Sequence, residues 1–218
     1  AQVMALMQDV DATAWGFGRG MSARAELRFR EAVGDGRSLW PQGRQHMDVL
    51  ALYAELDRDR LRARLGRQWY ASSLGYRNFD GAMMEVQPLA TVGGLRVEGY
   101  AGWSLMQGLS RGLTSDALSA IEELPPDQRG VLVGASVRWR PGNRRGGVRA
   151  QYEREIQSNR GALYAERAAA SADLLLGRTM VAGELVYDLA TAEFNEARLR
   201  ASRPITRSVE LVAEGRHS

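Results

Sequence analysis

Apolar and polar residues alternate along residues 131–156, on both sides of a Pro/Gly/Asn-rich turn. Val131, Val133 and Val137 fall on one face of an extended segment, and Arg138 falls on the other. A period of two that resumes after such a turn predicts an antiparallel β-hairpin.

The same alternation continues through most of the chain, and its clearest example is the segment that starts at Met21. We predict about eleven strands. They cover approximately residues 21–30, 46–56, 61–70, 82–89, 95–105, 131–140, 148–156, 163–174, 181–190, 194–202 and 209–216. Residues 1–20 are predicted to be an N-terminal segment outside the sheet, with a glycine-rich approach to the first strand.

The composition of the apolar face favours a membrane sheet over a soluble sandwich. This face is rich in Ala, Gly and Val, whereas a soluble core favours larger residues that interlock. Strands of about nine to eleven residues match a tilted crossing of a bilayer. We therefore predict an all-β fold, an antiparallel up-and-down transmembrane β-barrel over residues 21–218, with a soluble β-rich protein as the alternative.

Strand number and the end of the chain suggest a larger barrel. Bacterial barrels have an even strand number, and the last predicted strand lacks the terminal aromatic residue expected of this class. Residues 21–218 are accordingly expected to be an incomplete barrel, whose full form has about 16–18 strands.

The connections predict which end of the sheet faces outward. Outer-membrane barrels have long external loops and short periplasmic turns. The early connections alternate in this way, with long ones at 33–45, 71–81 and 106–129 and short ones at 57–60, 90–94 and 141–146. This assigns a periplasmic N-terminal segment (1–20) and a long external loop at 106–129, in which 114–124 is the only predicted helix.

Composition narrows the possible chemistry. The chain has no cysteine, which excludes disulfides and thiolate metal sites. Its net charge of +3 is small, so no nucleic-acid partner is expected. The only histidines are His46 and His217, and we predict no catalytic site, no metal and no cofactor.

An Ala1-Gln2 start is compatible with removal of a signal peptide, and the expected location is the outer membrane of a Gram-negative bacterium.

Arginine provides every basic side chain, and many arginines share the polar face of the predicted strands. Guanidinium groups suit carboxylate or phosphate partners, and rings of arginine favour anions in pores. The predicted lumen-facing arginines are Arg24, Arg28, Arg30, Arg62, Arg64, Arg96, Arg138, Arg149, Arg198 and Arg200.

Glutamates on the same face offer an alternative role for these arginines. Neighbouring strands can neutralise them in a structural network. The predicted counter-charges are Glu26, Glu98, Glu153, Glu184, Glu196, Glu210 and Glu214.

Two short segments resemble one barrel family. Leu65-Gly66-Arg67-Gln68, followed by Asn78-Phe79-Asp80-Gly81-Ala82, resembles a strand–loop–strand passage of the alginate-export and related porin-like outer-membrane barrels. The resemblance covers about 20 residues. It implies a medium-to-large monomeric barrel that passes or exports a hydrophilic solute, with anions among the expected solutes.

Three functions follow from this fold. The first is a channel for hydrophilic solutes with an arginine-rich lumen. The second is a non-conducting barrel that anchors or scaffolds an envelope assembly, and the third, weaker alternative is an outer-membrane enzyme. The expected partners are outer-membrane lipid and lipopolysaccharide, a hydrophilic solute and envelope proteins.

Overall fold

A computed structural model describes residues 4–33, 47–88, 94–105, 129–142, 145–157, 161–206 and 209–217. The described residues form twelve strands. The strands are β1 (Met4–Trp15), β2 (Met21–Val33), β3 (Met47–Arg58), β4 (Leu61–Ser72), β5 (Gly75–Val86), β6 (Arg96–Ser104), β7 (Gly130–Trp139), β8 (Gly146–Gln157), β9 (Leu163–Leu176), β10 (Thr179–Asp188), β11 (Glu193–Pro204) and β12 (Glu210–His217).

All twelve strands belong to one sheet, in which every strand pairs antiparallel with its neighbours in sequence. The predicted all-β, antiparallel up-and-down architecture is therefore confirmed. Within the described residues, the sheet is not closed, because β1 pairs only with β2 and β12 only with β11. Those residues include no helix long and apolar enough to cross a membrane.

The prediction of about eleven strands missed β1. Residues 4–15 were assigned to a segment outside the sheet, but they pair with β2 from Met4↔Val33 to Trp15↔Ser22. Val10, Ala12 and Ala14 do alternate with polar residues, but the apolar run before them hides the period of two. Residues 4–15 are therefore extended because they pair with the regular strand β2.

The predicted long connection at 71–81 is also wrong. β4 ends at Ser72 and β5 begins at Gly75, so the connection is a tight turn. Gly75, Asn78 and Gly81 are residues typical of turns, but here they continue a strand that pairs with β4 along its length. The other predicted long loops, 33–45 and 106–129, lie almost entirely outside the described residues, and so does the predicted helix.

The pairing register is strongly staggered. A path along directly opposed residues starts at the last residue of β1 and reaches the first residue of β11, at the opposite end of the sheet. The path runs through Trp15, Ser22, Glu55, Arg64, Met83, Tyr100, Gly134, Glu153, Arg167, Asp188 and Glu193.

This stagger corresponds to a marked strand tilt. The path climbs about one residue per strand, and with a rise of about 3.3 Å and a strand spacing of about 4.8 Å the tilt is roughly 35–40°. Strands of closed barrels tilt by about 35–45°. The register is therefore that of a barrel-like sheet.

The sheet has two chemically distinct faces. We call the face that carries Glu98, Tyr100 and Glu153 the polar face, and the opposite one the apolar face. The buried side chains lie mainly on the polar face, in a cluster of Tyr70, Phe79, Tyr100 and Leu132. The core therefore sits on the side of the sheet that is richest in charge.

Candidate functional site: the polar face of the sheet

The register places all the predicted lumen-facing positions on the polar face. Arg96 is opposite Arg138, Arg138 is opposite Arg149, and the pairings of the remaining strands continue this set. The backbone position of Arg30, opposite Met7, belongs to the same set. All seven predicted glutamates occupy this face as well. Whether the face borders a lumen stays a prediction.

Most of these arginines have a carboxylate partner on an adjacent strand. The nitrogen–oxygen distances are 2.6 Å for Arg24–Asp11, 2.8 Å for Arg28–Asp9, 2.6 Å for Arg62–Asp57, 3.2 Å for Arg96–Glu85 and 3.3 Å for Arg198–Glu214. Arg64 pairs with Glu55. The structural network is thus present, although most of its partners are carboxylates that the sequence analysis did not name.

Three predicted arginines, Arg138, Arg149 and Arg200, have no carboxylate within ion-pair distance among the described residues. Arg149 donates to the hydroxyl of Tyr70 instead, whereas Arg138 and Arg200 are exposed. Arg138 is also the middle residue of a directly opposed row, Arg96–Arg138–Arg149. This row therefore concentrates positive charge on the polar face. Like charges directly opposite one another also destabilise a sheet.

A buried ion pair links distant strands across this face. Arg77 on β5 donates to Glu153 on β8 at 2.6 Å, and the two side chains are 2% and 1% exposed. The hydroxyl of Tyr100 donates to the second oxygen of Glu153 at 2.9 Å. Since β6 and β7 lie between β5 and β8 in the sheet, the sheet curves strongly towards its polar face.

Further polar contacts surround this pair. Arg149 donates to the hydroxyl of Tyr70 at 2.7 Å, and Ser136 donates to Glu98 at 3.2 Å. The ring of Tyr100 lies over Gly134, because a Cβ at that glycine would come within 2.1 Å of the ring. A residue with a side chain at 134 would therefore move Tyr100 away from Glu153.

Three directly opposed glycines lie on β4, β5 and β6, where β5 and β6 approach each other closely and Gly66 lies against the backbone of β3. Gly66 is opposite Gly81, and Gly81 is opposite Gly102. A Cβ on Gly81 would lie 2.1 Å from the carbonyl oxygen of Ala101, and a Cβ on Gly102 would lie 2.4 Å from that of Asp80. Gly66 also has φ +128°, which other residues rarely adopt. Such glycines allow sharp bends in sheets.

Beyond this glycine row, the β4–β5 hairpin reaches across the polar face. The backbone N–H of Ser73 donates to the Oε1 of Gln151 on β8 at 3.2 Å. Leu74 is buried together with Ala169 on β9 and Val186 on β10. The interior above β6 and β7 is therefore filled by side chains of the chain itself.

The apolar face presents its hydrophobic side chains to the surroundings. Small and aliphatic residues such as Val97, Val133 and Leu199 are exposed. Most aromatic side chains on this face lie in the halves of the strands nearest one end of the sheet, among them Phe29, Trp103, Tyr152, Tyr187 and Phe194, whereas Trp139 lies near the other end. Aromatic residues at one level of an exposed apolar surface are typical of membrane interfaces.

Neither metal chemistry nor known relatives identify the site. In the part of the chain that the structure describes, no group of three or more potential ligand residues is placed to hold a metal. No protein-family model matches the chain, and no curated protein matches it significantly. The resemblance noted for 65–68 and 78–82 is therefore carried by the sequence alone. In the fold, these two segments are directly paired strand residues around the glycine row.

Sequence reasoning missed the centre of the site. Arg77 was assigned to a loop, and Tyr70 and Tyr100 were not singled out. β5 offered one available signal, its period of two. Arg77, Phe79 and Met83 are separated by even numbers of positions, so they share a face of an extended segment.

Proposed function

We propose that this chain lies in the outer membrane of a Gram-negative bacterium and forms the wall of a β-barrel that passes hydrophilic solutes, with a preference for anions. The observation that carries the proposal is the division between the two faces. Across twelve tilted strands one face is mainly apolar and exposed, apart from charged residues such as Arg154 and Glu166, and the other carries most of the arginines and carboxylates. An exposed apolar surface that extends along every strand is stable in contact with lipid, and the charged opposite face is stable in contact with water.

Anion preference follows from the arginines that have no carboxylate partner. The paired arginines contribute little net charge. Arg138, with an arginine directly opposite on each side, concentrates positive potential, and such a surface attracts counter-ions. In this role the exposed residues Arg138 and Arg200 set selectivity, and the six arginines with carboxylate partners belong to the structural network.

The test is single-channel conductance of the full-length protein in a planar bilayer, with the reversal potential measured under a salt gradient. Arg138→Glu is expected to shift the reversal potential towards cation preference without loss of folding, because no ion pair is broken. Arg19→Glu is the matched control, since it changes the net charge equally at an exposed turn outside the strands. Equal reversal potentials for the two variants would refute the role of Arg138.

A second function, a non-conducting outer-membrane barrel that anchors or scaffolds an envelope assembly, is favoured by the filled interior around Arg77 and Glu153. A folded, heat-modifiable protein without conductance would move the assignment to this role. The protein should then co-purify with envelope proteins after mild detergent extraction. The partners proposed for either role include outer-membrane lipid and lipopolysaccharide.

A further inference from the structure

Arg154 and Glu166 are charged residues on the otherwise mainly apolar face of the sheet. They are directly opposite each other on β8 and β9, in register with Val133 on β7. Arg154 is exposed and Glu166 is half-buried. A charged side chain on the lipid face of a barrel is destabilising, and more so the deeper it lies in the bilayer. A partner that covers both charges would therefore stabilise this part of the face.

These two charges are not paired with each other in the way that a second pair on the same face is. Arg67 and Asp80 also occupy apolar-face positions, and they bind each other at 2.8 Å. Glu166 instead accepts from the hydroxyl of Tyr152, and Arg154 hydrogen-bonds with the same hydroxyl. Among the described residues, no carboxylate lies within ion-pair distance of Arg154. A guanidinium has five N–H donors and a carboxylate has two oxygens, so each group can bind a further partner.

An apolar groove lies beside this pair, towards the other end of β8 and β9, and its volume is about 860 Å³. Ala150 and Ala170, each four residues from the charged pair, are directly opposed and line the groove. The larger side chains of Val137 on β7 and Leu185 on β10 flank them and are exposed. Small side chains between larger ones leave room for side chains of another molecule that faces this surface.

The arrangement of the two charges is complementary to itself. A two-fold axis that runs along the membrane normal between β8 and β9 brings Arg154 of one copy opposite Glu166 of a second copy, and it does so twice. Side chains opposite each other in a sheet are about 5 Å apart, and a strand tilt of roughly 35–40° separates them by about 3 Å in height. The length of an arginine side chain spans this difference. Both charges of each copy are then paired and removed from lipid.

We propose that two copies of this chain associate side by side in the membrane, with Arg154 of each copy bound to Glu166 of the other. A lipid with an anionic headgroup would be attracted by Arg154 but repelled by Glu166, whereas a second copy complements both charges. The dimer goes beyond the channel and rests only on the proposed location of the apolar face in lipid. It differs from the monomer that the resemblance at residues 65–68 and 78–82 implies.

The test is energy transfer between labelled copies in a membrane. Arg19→Cys, at an exposed turn, gives a single labelling site in a chain that has no native cysteine. Full-length chains labelled with a donor or an acceptor dye are refolded together into phosphatidylcholine vesicles, with lipid in large excess. Arg154→Glu and Glu166→Arg are added separately. Arg203→Glu is the matched control, since it reverses another exposed arginine at an apolar-face position, opposite Leu211.

The unchanged chain is expected to show energy transfer between its copies, and Arg203→Glu should not alter it. Arg154→Glu and Glu166→Arg should each lower the dimer fraction by about tenfold or more, because both contacts of the dimer then oppose like charges. Donor-labelled Arg154→Glu mixed with acceptor-labelled Glu166→Arg should recover the energy transfer, because each contact of the mixed dimer again joins an arginine to a glutamate. Residues that bind only within their own chain give no such recovery.

Variants that lose their heat-modifiable gel mobility are replaced by Arg154→Gln and Glu166→Gln. Neither of these forms an arginine–glutamate contact in its own dimer, whereas the mixed dimer keeps one. Energy transfer in the mixture should therefore exceed that of either variant alone.

A chain that floats with the vesicles but shows no energy transfer would overturn the dimer and leave the channel intact. Equal energy transfer in all variants, or no recovery in the mixture, would overturn the association through Arg154 and Glu166. Recovery in the mixture without conductance supports the dimer and refutes the channel. A chain that does not float with the vesicles refutes both.

Discussion

Replacement of Gly81 by alanine tests the curvature that brings the polar face together. A Cβ at this position would lie 2.1 Å from the carbonyl oxygen of Ala101 and 2.5 Å from the Cα of Gly102. Both neighbours are backbone atoms, so β5 and β6 must separate by about 1 Å to restore ordinary contact distances. The separation weakens the hydrogen bonds on either side of Gly81.

The expected cost comes from those hydrogen bonds. A backbone hydrogen bond contributes about 0.5–1.5 kcal/mol net. Loss of two or three of them lowers the free energy of unfolding by about 2–4 kcal/mol, partly offset by the lower entropy of alanine in the unfolded chain. The bend of the β4–β5 hairpin should relax in the same variant.

The assay is urea unfolding of the protein in lipid vesicles, followed by tryptophan fluorescence. Gly99→Ala is the matched control. It lies on the next strand, but its Cβ would meet only the carbonyl oxygen of Gly134, at 3.9 Å. Because glycine within a strand costs roughly 0.5–1 kcal/mol relative to alanine, Gly99→Ala should be neutral or slightly stabilising. Equal stabilities of the two variants would refute the close approach of β5 and β6.

Three further variants test other parts of the molecule in the same unfolding assay. Glu153→Ala is expected to lower the free energy of unfolding by about 3–5 kcal/mol because it leaves the buried charge of Arg77 unpaired. Asp11→Asn should cost about 0–1 kcal/mol because its pair is exposed, and similar costs for these two variants would contradict the buried network. Tyr100→Phe removes one donor to Glu153 and is expected to cost about 1–3 kcal/mol; an unchanged stability would show that water replaces the hydroxyl. Ala135→Arg, in the middle of the apolar face, should cost about 2–4 kcal/mol against lipid, whereas an effect within about 0.5 kcal/mol would indicate that this face meets water.

The faces of the strands follow from local sequence, and so does the fold class. Arg24 and Arg28 share a face with Glu26 because successive side chains of any strand point to opposite sides. Alternation therefore determined which arginines lie together without any knowledge of the partners. It failed in β1, where apolar residues also occupy polar-face positions, and in β5, where glycine and asparagine resemble a loop.

The partners of these residues are a property of the tertiary structure. Asp11 neutralises Arg24 only because the register of β1 on β2 places them side by side, and a shift of one residue would move Asp11 to the other face. Arg77 and Glu153 are 76 positions apart, and no local pattern connects them. They meet because the stagger and the glycine row curve the sheet towards its polar face. The sequence by itself thus determined the chemistry of each face, since that depends on a period of two. Only the tertiary structure decided which charges are neutralised and which part of the interior is filled, because both depend on register and curvature summed over many strands.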